Sequence, residues 1–352
     1  MRTARLAATA LILTGCGVGL NAGQPPPCTS QTATIAFTRG QTEVFVSDIE
    51  GECFNRLVED VFFGSVPPRP PSISDDGESL AYAGRRQRLS DGGNSTGLVV
   101  IDLDSAGAVE LTDMDDSEPT WSPDGTHLVF LSAARHVPVD PPMVPLRAYV
   151  VDVASGEVEP LTGDALIGPV SKPIWFPGGD RLLFTVVGTE DSGLWVVDKD
   201  GKDLTRIFDG GGRPSISPQG DEVLFNDDGK LWVIDLDEGH LRQIHEAGDT
   251  LGSAVWSPDG DRIAFVEGVG NANIYLIGAD GTGLENLTDD EFSNTTPAWS
   301  PDGTLLAFAS NRDSTTDGAF VDAHVFVMEL ADRSLTRISH GGGRYSSPVW
   351  IG

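Results

Sequence analysis

An all-β ring, a seven-bladed β-propeller closed by its own C-terminal strand, is predicted by three features: a turn motif repeated at blade length, two strand signatures that each recur seven times, and a half-repeat left over at the C-terminus. The turn motif is Pro-x-Trp-Ser-Pro-Asp-Gly. It is intact at 119–125 and 297–303, nearly so at 254–260, and degenerate at 71–77, 173–179 and 214–220. The glycines that end these copies, Gly77, Gly125, Gly179, Gly220, Gly260 and Gly303, stand 48, 54, 41, 40 and 43 residues apart, the period of one four-stranded blade.

Composition fits one large folded unit. The chain has 352 residues, 39% of them hydrophobic, enough to bury roughly three quarters of the unfolded surface. Glycine (42) and proline (23) punctuate many short strands without forming a low-complexity run. Acidic residues outnumber basic ones 53 to 23, a net charge of −30, which repels polyanions and argues against nucleic acid as a partner. Lysine occurs only at 172, 199, 202 and 230.

The N-terminus reads as an export signal over residues 1–15. Arg2 and Arg5 precede the apolar run 6–13, which is too short to span a bilayer. Leu13-Thr14-Gly15-Cys16 then resembles the lipobox of bacterial lipoproteins, in which cleavage precedes a diacylated cysteine. The resemblance implies lipidation of Cys16 and a stable anchor, because more than one acyl chain resists dissociation. Residues 16–33, rich in Gly and with Pro25-Pro26-Pro27, read as a flexible tether. The expected location is exported and lipid-anchored, on the periplasmic or extracellular face of the envelope. Setting Cys16 aside leaves Cys28 and Cys53, an even pair in an oxidising compartment, which predicts a disulfide between tether and first blade.

Residues 34–352 carry the repeats. In each turn, Pro presets φ at the first corner, Asp bonds back to the backbone and Gly takes positive φ. The Trp ahead of it is expected to wedge between neighbouring sheets. A hydrophobic strand follows in every unit: 35–37, 80–82, 128–130, 182–184, 223–225, 263–265 and 306–308. A further strand begins near 44, 98, 148, 194, 231, 274 and 325. Only six turn motifs precede the seven units, because nothing of the kind stands before Ile35. The missing strand is at the other end, where Pro348-Val349-Trp350 closes the chain with no turn after it. Residues 347–351 are therefore expected to lie alongside Ile35–Phe37 and remove the open edge.

These repeats, W-S-P-D-G at 121, 256 and 299 with I-A-F at 263 and I-Y-L at 274, resemble those of the TolB-like propellers, periplasmic relatives of WD-repeat proteins. The resemblance covers nearly all of 34–352 and implies a binding scaffold of the cell envelope. The chain departs from TolB itself: it has no room for the α/β domain that precedes TolB's propeller, TolB has six blades, and TolB is soluble. Similar repeats precede the hydrolase domain of prolyl-oligopeptidase-like enzymes and build oligogalacturonide lyases.

No catalytic signature stands out. There is no Gly-x-Ser-x-Gly elbow, P-loop, His-Glu-x-x-His or EF-hand loop. The six histidines are scattered at 127, 136, 240, 245, 324 and 340, and a lyase would want several to converge on the axis with a metal. His136, His324 and His340 are the three that sequence places in loops near it. Asp76, Asp124, Asp259 and Asp302 suit calcium by type, but one carboxylate per separate turn does not furnish six ligands, so turn stabilisation is expected. Neither cofactor nor metal is expected.

Loop lengths point to one face. The connections 83–97, 131–147 and 309–324 of the second, third and seventh units are expanded, and the first unit adds 59–70 with Phe62, Phe63 and Arg69. With His136, this aromatic and basic rim is the candidate partner site. Arg213 and Arg344 stand in glycine-rich inter-blade segments beside several aspartates; either they face the axis and grip a carboxylate or phosphate, or they pair with those acids. The expected function is a non-enzymatic, monomeric propeller lipoprotein that binds an envelope protein or glycan through its loop face. A metal-dependent lyase or hydrolase using the axial channel, and a structural subunit of an envelope complex, are the alternatives.

Overall fold

A computed structural model describes Cys28 and residues 34–40, 43–59, 71–87, 94–103, 105, 107–112, 114, 116–132, 146–162, 166, 168–314 and 322–351. These residues form twenty-eight strands and no helix. The strands make seven antiparallel sheets of four. Blade 1 is built from both ends of the chain: its inner strand is Tyr345–Trp350 and the other three are Ile35–Arg39, Glu43–Ser47 and Phe54–Glu59. The remaining inner strands are Ser72–Ile73 in blade 2, Asp116–Trp121 in blade 3, Val170–Trp175 in blade 4, Gly212–Ile216 in blade 5, Leu251–Trp256 in blade 6 and Asn294–Trp299 in blade 7.

The expected clasp is present. Trp350 lies opposite Ile35, Val349 opposite Ala36, Ser346 opposite Thr38 and Tyr345 opposite Arg39. Within this pairing the Thr38 hydroxyl lies 3.1 Å from the Ser346 carbonyl. Closing the sheet in this way uses backbone groups that would otherwise form an exposed edge at the start of the first blade.

Each blade is buried on both faces, so its strands use both sides of their alternation. Ile35 and Phe37 pack toward blade 7, whereas Ala36 between them packs toward blade 2. The seven buried clusters of the molecule correspond to the seven blade junctions. Aromatics mark the middle of the second strand. Phe37, Phe130, Phe184, Phe225, Phe265 and Phe308 are fully buried. Phe37, Phe130, Phe265 and Phe308 stack on the aromatic opposite them on the third strand, with ring centroids 5.5–6.4 Å apart.

The tryptophan wedges also have a polar end. Trp121, Trp175, Trp256, Trp299 and Trp350 each donate their indole N–H to a carbonyl on the inner strand of the preceding blade. The acceptors are Ser72 (3.2 Å), Thr120 (3.1 Å), Ser215 (3.4 Å), Val255 (3.4 Å) and Ala298 (3.0 Å). A ring too large to lie in one cavity thus fills the gap between blades while its one donor stays satisfied.

The turn aspartates are taken up by the turns. Asp124 Oδ1 accepts from Ser122 Oγ (2.6 Å), Thr126 N (3.0 Å) and Thr126 Oγ1 (2.7 Å). Asp76, Asp259 and Asp302 repeat the pattern with Ser74, Ser257 and Ser300. Where Gln219 replaces the aspartate, Ser217 Oγ donates instead to Asp221 at 2.8 Å. In blade 4, Phe176 and Gly178 replace both partners, and the Arg181 guanidinium lies 4.6 Å over the Phe176 ring.

One expected loop is mostly strand. The connection 83–97 of blade 2 continues the sheet, with Ala83 opposite Leu98 and pairing as far as Gln87 opposite Asn94. The expansion there is largely sheet, because its backbone groups find partners across the two strands. Cys28 and Cys53 form the expected disulfide, with their Cα atoms 4.9 Å apart.

Candidate functional site: the loop face and the axial strands

The inner strands begin on the face where the second and third strands connect, since Tyr345 at the start of one lies opposite Arg39 at the end of the next. The chain reaches blade 1 from the other face: Thr34 N donates to Ser47 O, and Ile351 N donates to Thr34 O. Cys28, whose N–H donates to Asn55 Oδ1, packs among the residues of the junction between blades 1 and 2. Cys28 is therefore held on the tight-turn side of the ring.

Of the residues expected to form the partner site, Phe62, Phe63, Arg69 and His136 lie outside the described residues, as does Cys16, the position expected to be lipidated. The described part of the loop face is richest at blades 7 and 1. There Arg39 forms a two-point ion pair with Glu43, both contacts 2.6 Å, and Arg56 adds a third at 2.9 Å. The Arg39 guanidinium lies 4.8 Å over Phe45 and 5.7 Å from the Tyr345 ring. Its bond to Glu43 raises its pKa further, while the two arginines together hold the Glu43 carboxyl below its ordinary value despite burial. The charges are locked in place. Beside them Arg312 donates to Asp290 (3.0 Å) and Asn294 (3.0 Å) and packs against Phe308 (5.5 Å) and Phe326 (5.0 Å). Burial lowers its pKa, and Asp290 opposes that effect.

Of the two described histidines expected in loops near the axis, His340 does stand in the loop between blades 7 and 1, and His324 does not. His324 opens a strand, opposite Ser310, and is buried with Nδ1 3.2 Å from Ser339 Oγ and its ring 5.8 Å from Tyr345. Burial is the main cause of its lowered pKa. His340 turns outward between blades 7 and 1, its Nε2 2.9 Å from Gly51 O and its ring edge-on to Phe54. Packing between blades has taken both rings from the axis. His245 bonds Glu267 at 2.8 Å in another sector. Among the described residues no group of three His, Cys, Asp or Glu converges in the manner of a metal site.

Arg213 is not in a loop either. It sits within the inner strand of blade 5, exposed, and makes no ion pair among the described residues. Its φ is 49°, a left-handed value. Arg344 lies at the mouth of the ring, one residue before the closing strand, and is also exposed; its carbonyl accepts from Gly40 N at 2.8 Å. The reading in which either pairs with a neighbouring aspartate finds no support among the described residues.

Sequence reading missed a repeated backbone device. In five inner strands the residue before proline is left-handed: Glu118 (φ 57°), Lys172 (52°), Arg213 (49°), Thr296 (53°) and Ser347 (54°). The strand register shifts there in blades 3, 4, 5 and 7 and in the closing pair. The proline that follows is buried in every case. These are bulges that free one side chain per blade from the alternation of the strand. The x-Pro step of each repeat was the available signal, but propensity does not assign such a residue positive φ.

Residues 214–352, covering blades 5 to 7 and the closing strand, match the TolB beta propeller domain family. A peptidase of Bacillus subtilis described as uncharacterized is 30% identical over 118 residues; the match takes in 33% of this chain but only 17% of the peptidase. Among solved structures, TolB from Acinetobacter baumannii superposes with a TM-score of 0.53 at 18% identity, over 90% of this chain and 82% of that one. The oligogalacturonate lyase of Vibrio parahaemolyticus gives 0.64 at 14% identity, over 88% and 89%. The propeller domain of the trilobed protease from Pyrococcus furiosus gives 0.62 at 13%, over 90% and 97%. Identities this low speak to the fold. With that family's repeats matched in its last three blades and closing strand, and the same four-stranded unit carried around the whole ring, the chain is a seven-bladed β-propeller whose C-terminal part is similar to the TolB propeller domain.

Proposed function

We propose that the protein is an exported, lipid-anchored binding scaffold of the cell envelope, without catalytic activity, which takes an envelope protein or glycan on its loop face. The observation that carries this reading is the placement of the tether. Cys28 is joined to Cys53, and Thr34 enters blade 1 on the tight-turn side. Cys16 and Cys28 are twelve positions apart in sequence, a reach of at most about 40 Å. A lipid on Cys16 holds the tight-turn side toward the membrane and leaves the loop face turned outward.

The chemistry of the described loop face supports binding. Two of its ion pairs, Arg39 with Glu43 and Arg312 with Asp290, are held in fixed geometry. Rigid, mutually paired side chains under expanded connections suit recognition, whereas general acid–base chemistry needs a group free to exchange a proton with substrate. The blades whose connections are long in sequence, 7, 1, 2 and 3, are successive blades of the ring, so a single partner has one sector to engage.

The test is affinity capture of the full-length lipidated protein from membranes, with mass spectrometry of the partner and of Cys16. Replacing 59–70 by a short Gly-Ser linker is expected to abolish capture and leave the fold intact. Equal capture by that variant, or an unmodified Cys16, overturns the corresponding half of the proposal. A second reading, chemistry in the axial channel, draws on the structural likeness to the lyase. Turnover of an acidic glycan by the purified protein, abolished by a chelator, would establish it instead.

A further inference from the structure

The blade junctions are not closed alike. Five have a tryptophan whose indole bonds the preceding blade. The junction of blades 4 and 5, with Ile216 in its place, has Phe208 against Phe225, ring centroids 4.5 Å apart. The junction of blades 1 and 2 has Ile73 at the tryptophan position, and its one aromatic, Tyr82, is only partly buried. Its buried core is Ala36, Val44, Val46, Leu80 and Ile101.

On either side of this junction the ring is tied. Trp350 bonds blade 1 to Ala298 of blade 7. Trp121 bonds blade 3 to Ser72 of blade 2 twice, backbone N–H to Oγ at 3.0 Å and indole N–H to the carbonyl at 3.2 Å. Between these ties the inner strand of blade 2, Ser72–Ile73, is two residues long among the described ones, where the other six inner strands have five or six.

The gap is filled from outside the repeats. Cys28, which precedes the first strand, packs against this core beside Leu57, Ile73, Leu103 and Ile351. It is held there by the disulfide, and its backbone adds one hydrogen bond, from N–H to Asn55 Oδ1 at 3.2 Å. Cys53 is fixed within blade 1 by other means: its N–H donates to Asp48 Oδ2 at 3.1 Å and its carbonyl accepts from Ser47 Oγ at 2.9 Å. Cutting the disulfide therefore frees the Cys28 end and leaves blade 1 in place. A single backbone hydrogen bond does not offset the entropy lost in holding a chain segment of several residues still.

We propose that the junction of blades 1 and 2 is the seam of the ring, and that the Cys28–Cys53 disulfide is a redox-sensitive latch on it. A dithiol reductant opens the latch by exchange: one of its thiolates attacks a protein sulfur to give a mixed disulfide, and its second thiol resolves that. Two electrons and two protons pass to the protein, Cys28 and Cys53 become thiols, and the reductant leaves as its own disulfide. Cys28 then comes away and blades 1 and 2 part, while the other junctions stay closed. Neither lipidation of Cys16 nor a partner on the loop face enters this reading.

The test is hydrogen exchange of the folded full-length protein, followed by mass spectrometry with and without dithiothreitol well below the melting temperature. Reduction is expected to speed exchange by roughly tenfold or more along Ser72–Ile73 and at Leu80 and Ala81 opposite. Leu251–Trp256 and Asn294–Trp299, in blades closed by tryptophan, keep their rates. The double variant Cys28→Ala, Cys53→Ala is expected to show the same faster exchange at the seam with no reductant present. If that variant does not fold, the reduced and oxidised wild type decide alone. An equal rise at every junction would mean that the disulfide merely stabilises the whole fold, and overturns the proposal. Unchanged exchange along Ser72–Ile73, in the reduced protein or in a folded double variant, overturns it as well.

Discussion

The indole N–H of Trp350, the third residue from the end of the chain, donates to the carbonyl of Ala298 in blade 7 at 3.0 Å. This bond does at the closure of the ring what Trp299 does with Val255 one blade earlier. The last strand is thus secured twice, by its ladder to Ile35–Arg39 and by its tryptophan to the neighbouring blade. Trp350→Ala is expected to destabilise the protein by about 2–4 kcal/mol, somewhat below the usual range for a fully buried tryptophan because Trp350 is only partly buried. Truncation before Tyr345 should be worse, leaving Ile35–Arg39 as an open edge prone to association. Urea unfolding followed by tryptophan fluorescence, with light scattering for association, measures both.

Two junctions lack this bond. Ile73 and Ile216 occupy the tryptophan position in blades 2 and 5, so the junctions of blades 1 with 2 and 4 with 5 have no indole donor. Among the described residues these junctions also hold the two smallest buried clusters, five and seven residues, against eight to twelve elsewhere. Native-state hydrogen exchange is expected to show earlier opening along Gly212–Ile216 than along Leu251–Trp256 or Asn294–Trp299. Uniform protection of the three would contradict this.

The turn aspartates make stability depend on acid. Bonds from Ser122 first, and then from Thr126, hold Asp124 down at about 2, and Asp76, Asp259 and Asp302 are lowered by the corresponding serines. A carboxyl lowered in the folded state stabilises fully above its unfolded value and loses that contribution as pH falls through the folded one. Thermal stability should therefore fall between about pH 4 and pH 2. Asp124→Asn should flatten that fall; the effect per turn is modest because these side chains are exposed to solvent.

The disulfide should matter through the unfolded chain. Cys28 and Cys53 are 25 residues apart, and closing a loop of that size contributes roughly 3 kcal/mol. Cys53→Ser, or reduction by dithiothreitol, is expected to destabilise the protein by a similar amount, read as a lower melting temperature, without changing the circular dichroism of the sheets. If the reduced protein melts as the oxidised one does, the staple contributes nothing.

The fold was legible because a propeller repeats its local chemistry. Pro-Asp-Gly specifies a turn, Trp a wedge and the apolar triplets a doubly buried strand, and each is read within a few residues. The unmatched Pro348-Val349-Trp350 then located the closing strand. The site was less legible. Gly210, Gly211 and Gly212 made Arg213 look like a loop residue, whereas the bulge draws it into an inner strand. His324 looked accessible, but the blade 7 ladder continues to it and Tyr345 covers it.

The repeats alone determined the number of blades, the direction of the chain through each and the clasp between its ends, because all of these follow from turns and periodicity within one unit. Which side chains face the axis was decided only by the assembled ring. Positive φ before proline runs against local preference, and it holds here because the buried proline and the neighbouring blades leave the strand no other course.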